Sequence, residues 1–279
     1  MKRQLIKSSY LLILFFLISG CATTVYQTDT NSSAPPAYNI GDLTNYGEWV
    51  QISKFGQVWR PYVVEGWMPY ENGHWAYSDG NWTWVSYEPF GWIVYHYGNW
   101  YDDVLYGWVW VPSNDPWSPA RVVWVDYNDY VGWAPLPPAG VTYVNPWEVN
   151  GNHYWHVVKQ KDFMEDNVHN YFVGNPTRSA TVTRNVGRQA PTRTAIETSS
   201  RRTVTDYKTQ PQTIKLPNRE IKRMNLPPQE NKKVEQNTQR VKKDVLVPRD
   251  QFRKQENARN QQQQKERKQE PKKEDQRKR

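Results

Sequence analysis

The sequence predicts an all-β domain. It reads as an antiparallel meander of short tryptophan-rich strands with internal repeats of about 25 residues, followed by a short helix and a largely disordered basic tail. Three observations predict this. All 15 tryptophans lie between Trp49 and Trp155. They recur at a fixed interval: Trp59, Trp84 and Trp133 share one 25-residue ladder, with Trp108 one short of the missing rung; Trp67, Trp92 and Trp117 form a second; Trp75, Trp100 and then Trp124 form a third. Between them stand runs with turn chemistry, Glu71-Asn72-Gly73, Ser78-Asp79-Gly80 and Tyr97-Gly98-Asn99.

The first two copies of the repeat, Trp59 to Trp75 and Trp84 to Trp100, superimpose at Trp59/Trp84, Tyr62/Tyr87, Gly66/Gly91, Trp67/Trp92, Tyr70/Tyr95, Gly73/Gly98 and Trp75/Trp100. A looser third runs from Trp108 through Trp117 to Trp124. Trp, Tyr and Val suit a half-buried pleat, and alternation is clear over Trp82-Thr83-Trp84-Val85 and Trp108-Val109-Trp110-Val111. The pattern predicts eight to ten short strands in a sheet that is curved or closed. Gly-Trp pairs fit such a sheet, because glycine lets a neighbouring indole lie flat over the backbone. Gly132-Trp133-Ala134-Pro135-Leu136-Pro137-Pro138 ends it, since proline removes ladder donors. A last strand pair is expected within Tyr143 to Val158. A short helix follows over Asp162 to Phe172, with Asp162 as N-cap and Phe163, Val168 and Phe172 as apolar contacts. The domain boundaries on this reading are 46–175 for the tryptophan-rich β domain, 176–229 for an extended arm with a short helix near Ala195 to Thr198, and 230–279 for the tail.

The N-terminus has the pattern of an export signal over residues 1–20. Lys2, Arg3 and Lys7 precede an apolar run from Tyr10 to Ile18, which is too short to span a bilayer. Ile18-Ser19-Gly20-Cys21 resembles a bacterial lipobox, which implies that Cys21 is lipidated and that several acyl chains hold the protein on a bilayer. Ala22 after the cysteine resembles the sorting signal for the outer membrane, with the protein facing the periplasm. Residues 21–45 then form a flexible tether rich in Thr, Ser, Asn and Pro. Cys21 is the one cysteine, so no disulfide can form within the chain.

Charge divides the chain in two. Residues 22–175 carry 5 Lys+Arg against 16 Asp+Glu, whereas 176–279 carry 28 against 12. The head is therefore acidic and the C-terminal part basic. From Glu230 onward Phe252 is the one aromatic residue, so disorder or a lone solvated helix is expected. Three roles fit such a tail: binding anionic envelope polymer, spanning space, or serving as counter-charge for the head itself. Nucleic acid is not expected as a partner of an exported protein.

The ordered motifs Trp59-Arg60-Pro61-Tyr62, Gly66-Trp67-Met68-Pro69-Tyr70, Glu88-Pro89-Phe90-Gly91-Trp92, Tyr95-His96-Tyr97-Gly98-Asn99-Trp100, Trp108-Val109-Trp110-Val111-Pro112 and Gly132 to Pro138 resemble a tryptophan-rich domain family of bacterial envelope proteins. The resemblance covers roughly 55–175, with a fainter likeness to about 225. That family is of unknown function, and some members carry FecR-like domains. The resemblance implies an envelope location and a β-rich fold, and it implies no activity. The chain departs from the pattern at Ser113-Asn114-Asp115-Pro116 and has no FecR-like part.

Chemistry is sparse. His153 and His156 stand at i, i+3 with Asp162 nearby, but packing histidines explain them better than a metal site. Glu65, Glu71, Glu88, Asp102, Asp103, Asp126 and Asp129 offer carboxylates without a spacing that selects a hydrolytic pair. No nucleophile elbow, phosphate loop or Cys/His dyad is present, so neither an enzyme nor a cofactor is expected. The candidate ligand-stacking residues are Trp67, Trp92 and Trp117, with Tyr70 and Tyr95 three residues after the first two. Exposed, these rings would form a platform for peptidoglycan or another polysaccharide; buried, they are core. The expected function is a membrane-anchored, non-catalytic interaction module, with a protein–protein scaffold of the envelope as the alternative.

Overall fold

Four hairpins follow one another in the computed structural model, and each is closed by a directly opposed tryptophan pair. In β1 (Gly47–Ile52) and β2 (Gly56–Pro61), Trp49 faces Trp59. In β3 (Gly73–Ser78) and β4 (Asn81–Ser86), Trp75 faces Trp84. In β5 (Asn99–Asp103) and β6 (Gly107–Val111), Trp100 faces Trp110. In β7 (Val122–Tyr127) and β8 (Tyr130–Pro135), Trp124 faces Trp133. A cross-strand aromatic pair contributes about 0.2–1 kcal/mol beyond Ala–Ala, so each hairpin carries its own adhesive contact. The structure describes residues 41–141, 154–173, 186–187, 189–208, 212–216, 219–223 and 228–277.

The hairpins are distributed over several sheets around one core. The first and third share a sheet of order β1-β2-β6-β5, joined where Trp59 meets Trp110. The fourth is extended by β9 (His156–Lys159) beside β8 and by β10 (Val186–Gly187) beside β7. The second lies in its own sheet, with β11 (Asp206–Tyr207) running parallel to the end of β3. A fifth pair, β12 (Gln212–Leu216) and β13 (Arg219–Arg223), is antiparallel. Two one-turn helices, α1 (Gly41–Thr44) and α2 (Gly91–Val94), flank the sheets.

The core is made of rings. Trp59, Trp84, Trp100, Trp110 and Trp133 are fully buried with Tyr70, Tyr87, Tyr95, Phe90 and Phe163. Trp75 stacks on Phe163 at 5.6 Å, and Trp133 meets Trp75 edge-on at 5.5 Å. Indole N–H groups leave the sheets to find acceptors: Trp59 donates to the Leu43 carbonyl (3.0 Å), Trp100 to Val94 (3.1 Å), Trp110 to Tyr97 (2.8 Å), Trp133 to Tyr70 (3.2 Å) and Trp82 to Pro191 (2.8 Å). Glycine makes room for these rings. A Cβ on Gly73 would lie 2.5 Å from Cζ2 of Trp84, and one on Gly98 would lie 2.6 Å from Nε1 of Trp110.

Two segments differ from the sequence reading. The helix expected over Asp162 to Phe172 is a pair of 3₁₀ turns, Gln160–Asp162 and Val168–Tyr171, so Asp162 ends a turn instead of capping a helix. Phe163 and Val168 are buried as expected, and pulling both into the core leaves no run of residues free for an α-helix. The tail is helical, as α4 (Pro228–Asp244) and α5 (Arg249–Arg277), and it does not stand alone. Val241 and Phe252 are buried, and the link between the helices pairs with the sheet edge. There Val64 donates to the Val245 carbonyl (2.9 Å) and Val247 to that of Tyr62 (3.1 Å). In the arm, α3 (Arg193–Ser200) spans Ala195 to Thr198, with Thr192 accepting from the Ala195 N–H as N-cap and Ile196 buried. Cys21, the signal segment, most of the tether, Trp147 and His153 lie outside the described residues. Among the described residues no helix is long and apolar enough to cross a membrane.

The close approach at Gly73 generates a prediction. Gly73→Ala is expected to lose about 1–3 kcal/mol, because neither Trp84 nor the Val85 carbonyl at 2.5 Å can retreat. Urea unfolding followed by far-UV circular dichroism measures this.

Candidate functional site

The three loop tryptophans of the 25-residue ladder all sit in the connections between hairpins. Trp67 lies between β2 and β3, Trp92 in α2, and Trp117 between β6 and β7. They do not form a shared open face. Trp67 is buried against Phe90 and Trp100, its ring 5.4 Å from the latter. Trp92 and Trp117 are half-buried, and Trp117 stacks on His96 at 5.3 Å. Tyr70 and Tyr95 are fully buried, 4.4 Å apart. Tyr70 donates to the Tyr95 carbonyl (2.9 Å) and accepts from the Arg121 N–H (2.9 Å), which ties three successive connections together. Tyr70 and Tyr95 therefore have no face to offer a ligand, because their rings and hydroxyls are engaged inside the core, whereas Trp67, though 6% exposed, is among the residues that line a groove beside α5.

Trp67 and Tyr95 converge on one buried carboxyl, Glu88. Its Oε1 accepts from the Trp67 indole (2.7 Å) and from Asn72 (3.2 Å), and its Oε2 accepts from Ser86 (3.1 Å) and from the Tyr95 hydroxyl. Burial pushes Glu88 up to about 7, and the four donors oppose that rise. The donors come from the β2–β3 connection, the end of β4 and the residue after α2. Glu88 is thus a structural hub, and its enclosure removes it from the set of carboxylates able to meet a substrate. The sequence signal was Glu88-Pro89-Phe90-Gly91-Trp92, a charge set inside an apolar motif.

The histidines also serve packing. Nε2 of His156 lies 2.8 Å from the Pro69 carbonyl and its ring stacks on Phe172 at 4.5 Å. Burial holds both His156 and His96 down to about 4, so they stay neutral. Among the described residues no group of three His, Cys, Asp or Glu side chains is placed to hold a metal ion.

The groove has aromatic walls and a volume of about 340 Å³, and it lies between the rim of the β2/β6/β5 sheet, the β2–β3 connection and the start of α5. Trp108, Tyr106, Asp102 and Glu65 line the head side; Glu256 and Arg259 line the α5 side. Trp108 stands two residues before the buried Trp110 on the same face of β6, so the core's aromatic row runs out into the groove. Tyr154 holds its ring edge-on at 5.7 Å.

The α5 wall is held by charge. Arg60 lies 3.6 Å from Glu48 and 2.6 Å from Glu256, while Arg253 lies 2.5 Å from Glu48 and 3.0 Å from Glu256. The Arg60 guanidinium also covers the Phe252 ring at 4.6 Å, and Phe252 meets Tyr62 at 5.1 Å. On α4, Lys233 pairs with Asp166 at 2.8 Å, and Glu230 approaches His74 at 3.4 Å. The C-terminal part and the head thus pair charges in both directions within the same molecule: Arg253 and Lys233 meet Glu48 and Asp166 of the head, while Glu256 and Glu230 meet Arg60 and His74. The ion-pair partners are far apart in sequence, and no local pattern could have matched Arg60 with Glu256.

Residues 40–140 match a family of unknown function (DUF6600), which spans the four hairpins and less than half of the chain. No curated protein and no solved structure matches the chain.

The enclosed Glu88 sets a pH prediction. Its folded-state value, about 7, lies above the ordinary 4.5, so the folded protein holds the proton more tightly than the unfolded chain between those values. Stability from this group is full below about 4.5 and is lost as pH rises towards 7. His96 and His156 act in the opposite sense, costing stability as pH falls from 6.5 to about 4. Glu88→Gln is expected to gain roughly 2–4 kcal/mol relative to wild type on going from low pH to above 7. Urea unfolding of both proteins across that range reads the difference.

Proposed function

We propose that this chain is a non-catalytic interaction module of the bacterial envelope, lipid-anchored through Cys21 at the outer membrane, and that it binds peptidoglycan or another polysaccharide in the groove beside α5. The observation that carries the reading is the half-buried Trp108 at the end of an otherwise buried aromatic row, in a concavity rimmed by Asp102, Glu65 and Arg259. Pyranose rings stack on aromatic faces, and their hydroxyls take hydrogen bonds from charged and polar groups at the rim. The signal pattern and lipobox support the location, and the full burial of Tyr70 and Tyr95 supports a site in the groove, where Trp67 joins Trp108, over one on the whole 25-residue ladder. A protein–protein scaffold has one observation in its favour. Val104 and Leu105 at the β5–β6 tip are exposed, at 89% and 64%, next to the groove.

Cosedimentation of the soluble chain from residue 22 onward with purified peptidoglycan sacculi tests this. Wild type is expected to pellet. Trp108→Ala is expected to weaken binding about tenfold or more, equivalent to about 1.4 kcal/mol, while Trp92→Ala leaves it unchanged. A wild-type protein that stays in the supernatant defeats the polysaccharide reading, and crosslinking for a protein partner at Val104 and Leu105 then follows.

A further inference from the structure

We infer that the first three turns of α5 are a detachable wall of the groove, so that ligand binding and docking of the basic tail are coupled to each other. The coupling rests on the polysaccharide reading of the groove for its ligand; the detachable wall rests on the helix contacts alone. The helix is 29 residues long, and among its described side chains Phe252 is the one that is buried. One ring of apolar burial is a small anchor for such a helix. What remains is ionic: Arg60, Glu48, Arg253 and Glu256 alternate in sign around a closed ring, and Arg259 donates to the Leu105 carbonyl at 3.1 Å. Arg253 is the solvent-facing corner of this ring, its side chain 46% exposed against 4% for Arg60, 10% for Glu48 and 14% for Glu256. The two pairs that Arg253 makes are therefore the ones that salt screens.

The rest of the C-terminal segment has, besides the Lys233–Asp166 and Glu230–His74 contacts of α4, a fastening that is not ionic. Val245 and Val247 make backbone hydrogen bonds to the Tyr62–Val64 edge, and Val241 of α4 is buried. These contacts do not depend on charge. Release of α5 therefore has a natural pivot at Val247-Pro248, with α4 and the link staying in place. A ligand that spans the groove touches Trp108 on the head and Glu256 and Arg259 on the helix. It binds the docked form better than the released one. By reciprocity, docking strengthens ligand binding by the factor by which ligand strengthens docking.

The test uses the full soluble chain, with chitotetraose as probe. Hydrogen exchange of residues 249–260 is followed by mass spectrometry with and without the sugar, at about 0.05 M and about 0.5 M salt, for wild type and Arg253→Glu. Arg253 is exposed enough for the head to fold in the variant, and unchanged exchange in β3 and β4 checks this. The expected result is that sugar slows exchange in α5 about tenfold, and that high salt and Arg253→Glu each speed it and weaken sugar binding about tenfold. Sugar affinity that stays constant while salt or the variant frees α5 overturns the coupling. Exchange in α5 that ignores both salt and the variant overturns the detachable wall. If wild type binds no sugar at all, the polysaccharide reading fails and the coupling with it, whereas the salt and variant arms still decide the detachable wall.

Discussion

A buried indole is a large apolar ring with one N–H that needs an acceptor once water is excluded. The rest of this fold depends on meeting that need many times over. The connections supply the acceptors for several of these indoles: Leu43 accepts from Trp59, Val94 from Trp100, Tyr97 from Trp110 and Tyr70 from Trp133, whereas Trp75 and Trp84 of the opposed β3/β4 pair bury their N–H groups without a partner among the described residues. Each bond locks a loop to a strand at a fixed distance. Loops that would otherwise vary become as determined as the sheets, and their own aromatic residues are drawn inward.

Glu88 extends the same logic. Trp67 has no loop carbonyl as its partner, and the carboxyl fills that role while gathering Asn72, Ser86 and Tyr95. A charge in this position is costly, and burial raises its affinity for a proton accordingly. It is tolerated because one side chain satisfies donors from three separate segments. The neutral, buried His96 and His156 are held by backbone carbonyls at Ser118 and Pro69. Polar groups inside this core thus act as spacers between rings.

Much of the fold was legible in the sequence, for a physical reason. Turn residues and β-formers report local backbone preference, so the hairpins around Ser78-Asp79-Gly80 and the strands through Trp82-Thr83-Trp84-Val85 could be placed. The glycine rule was also readable, as Gly73 under Trp84 illustrates. Equal spacing of Trp67, Trp92 and Trp117 reflects equal places in successive connections, and it says nothing about which face of each ring meets water. Trp108, the rung out of step, lines the groove together with Trp67, and it is the more exposed of the two. Docking of the tail was legible only as one of three roles that its charge allows, because low apolar content signals no core of its own, while Arg60 with Glu256 and Arg253 with Glu48 are non-local pairs formed by the fold.

The most direct measurement of the central claim, that the ladder rings are core and the groove binds, is indole N–H exchange by NMR on ¹⁵N-tryptophan-labelled protein. The account predicts that the N–H groups of Trp59, Trp67, Trp100, Trp110 and Trp133 exchange only through global unfolding, each being bonded inside the core. It also predicts that added glycan fragments shift the Trp108 signal. Rapid exchange at Trp67, or a glycan shift at Trp92 and Trp117 with Trp108 silent, would contradict it.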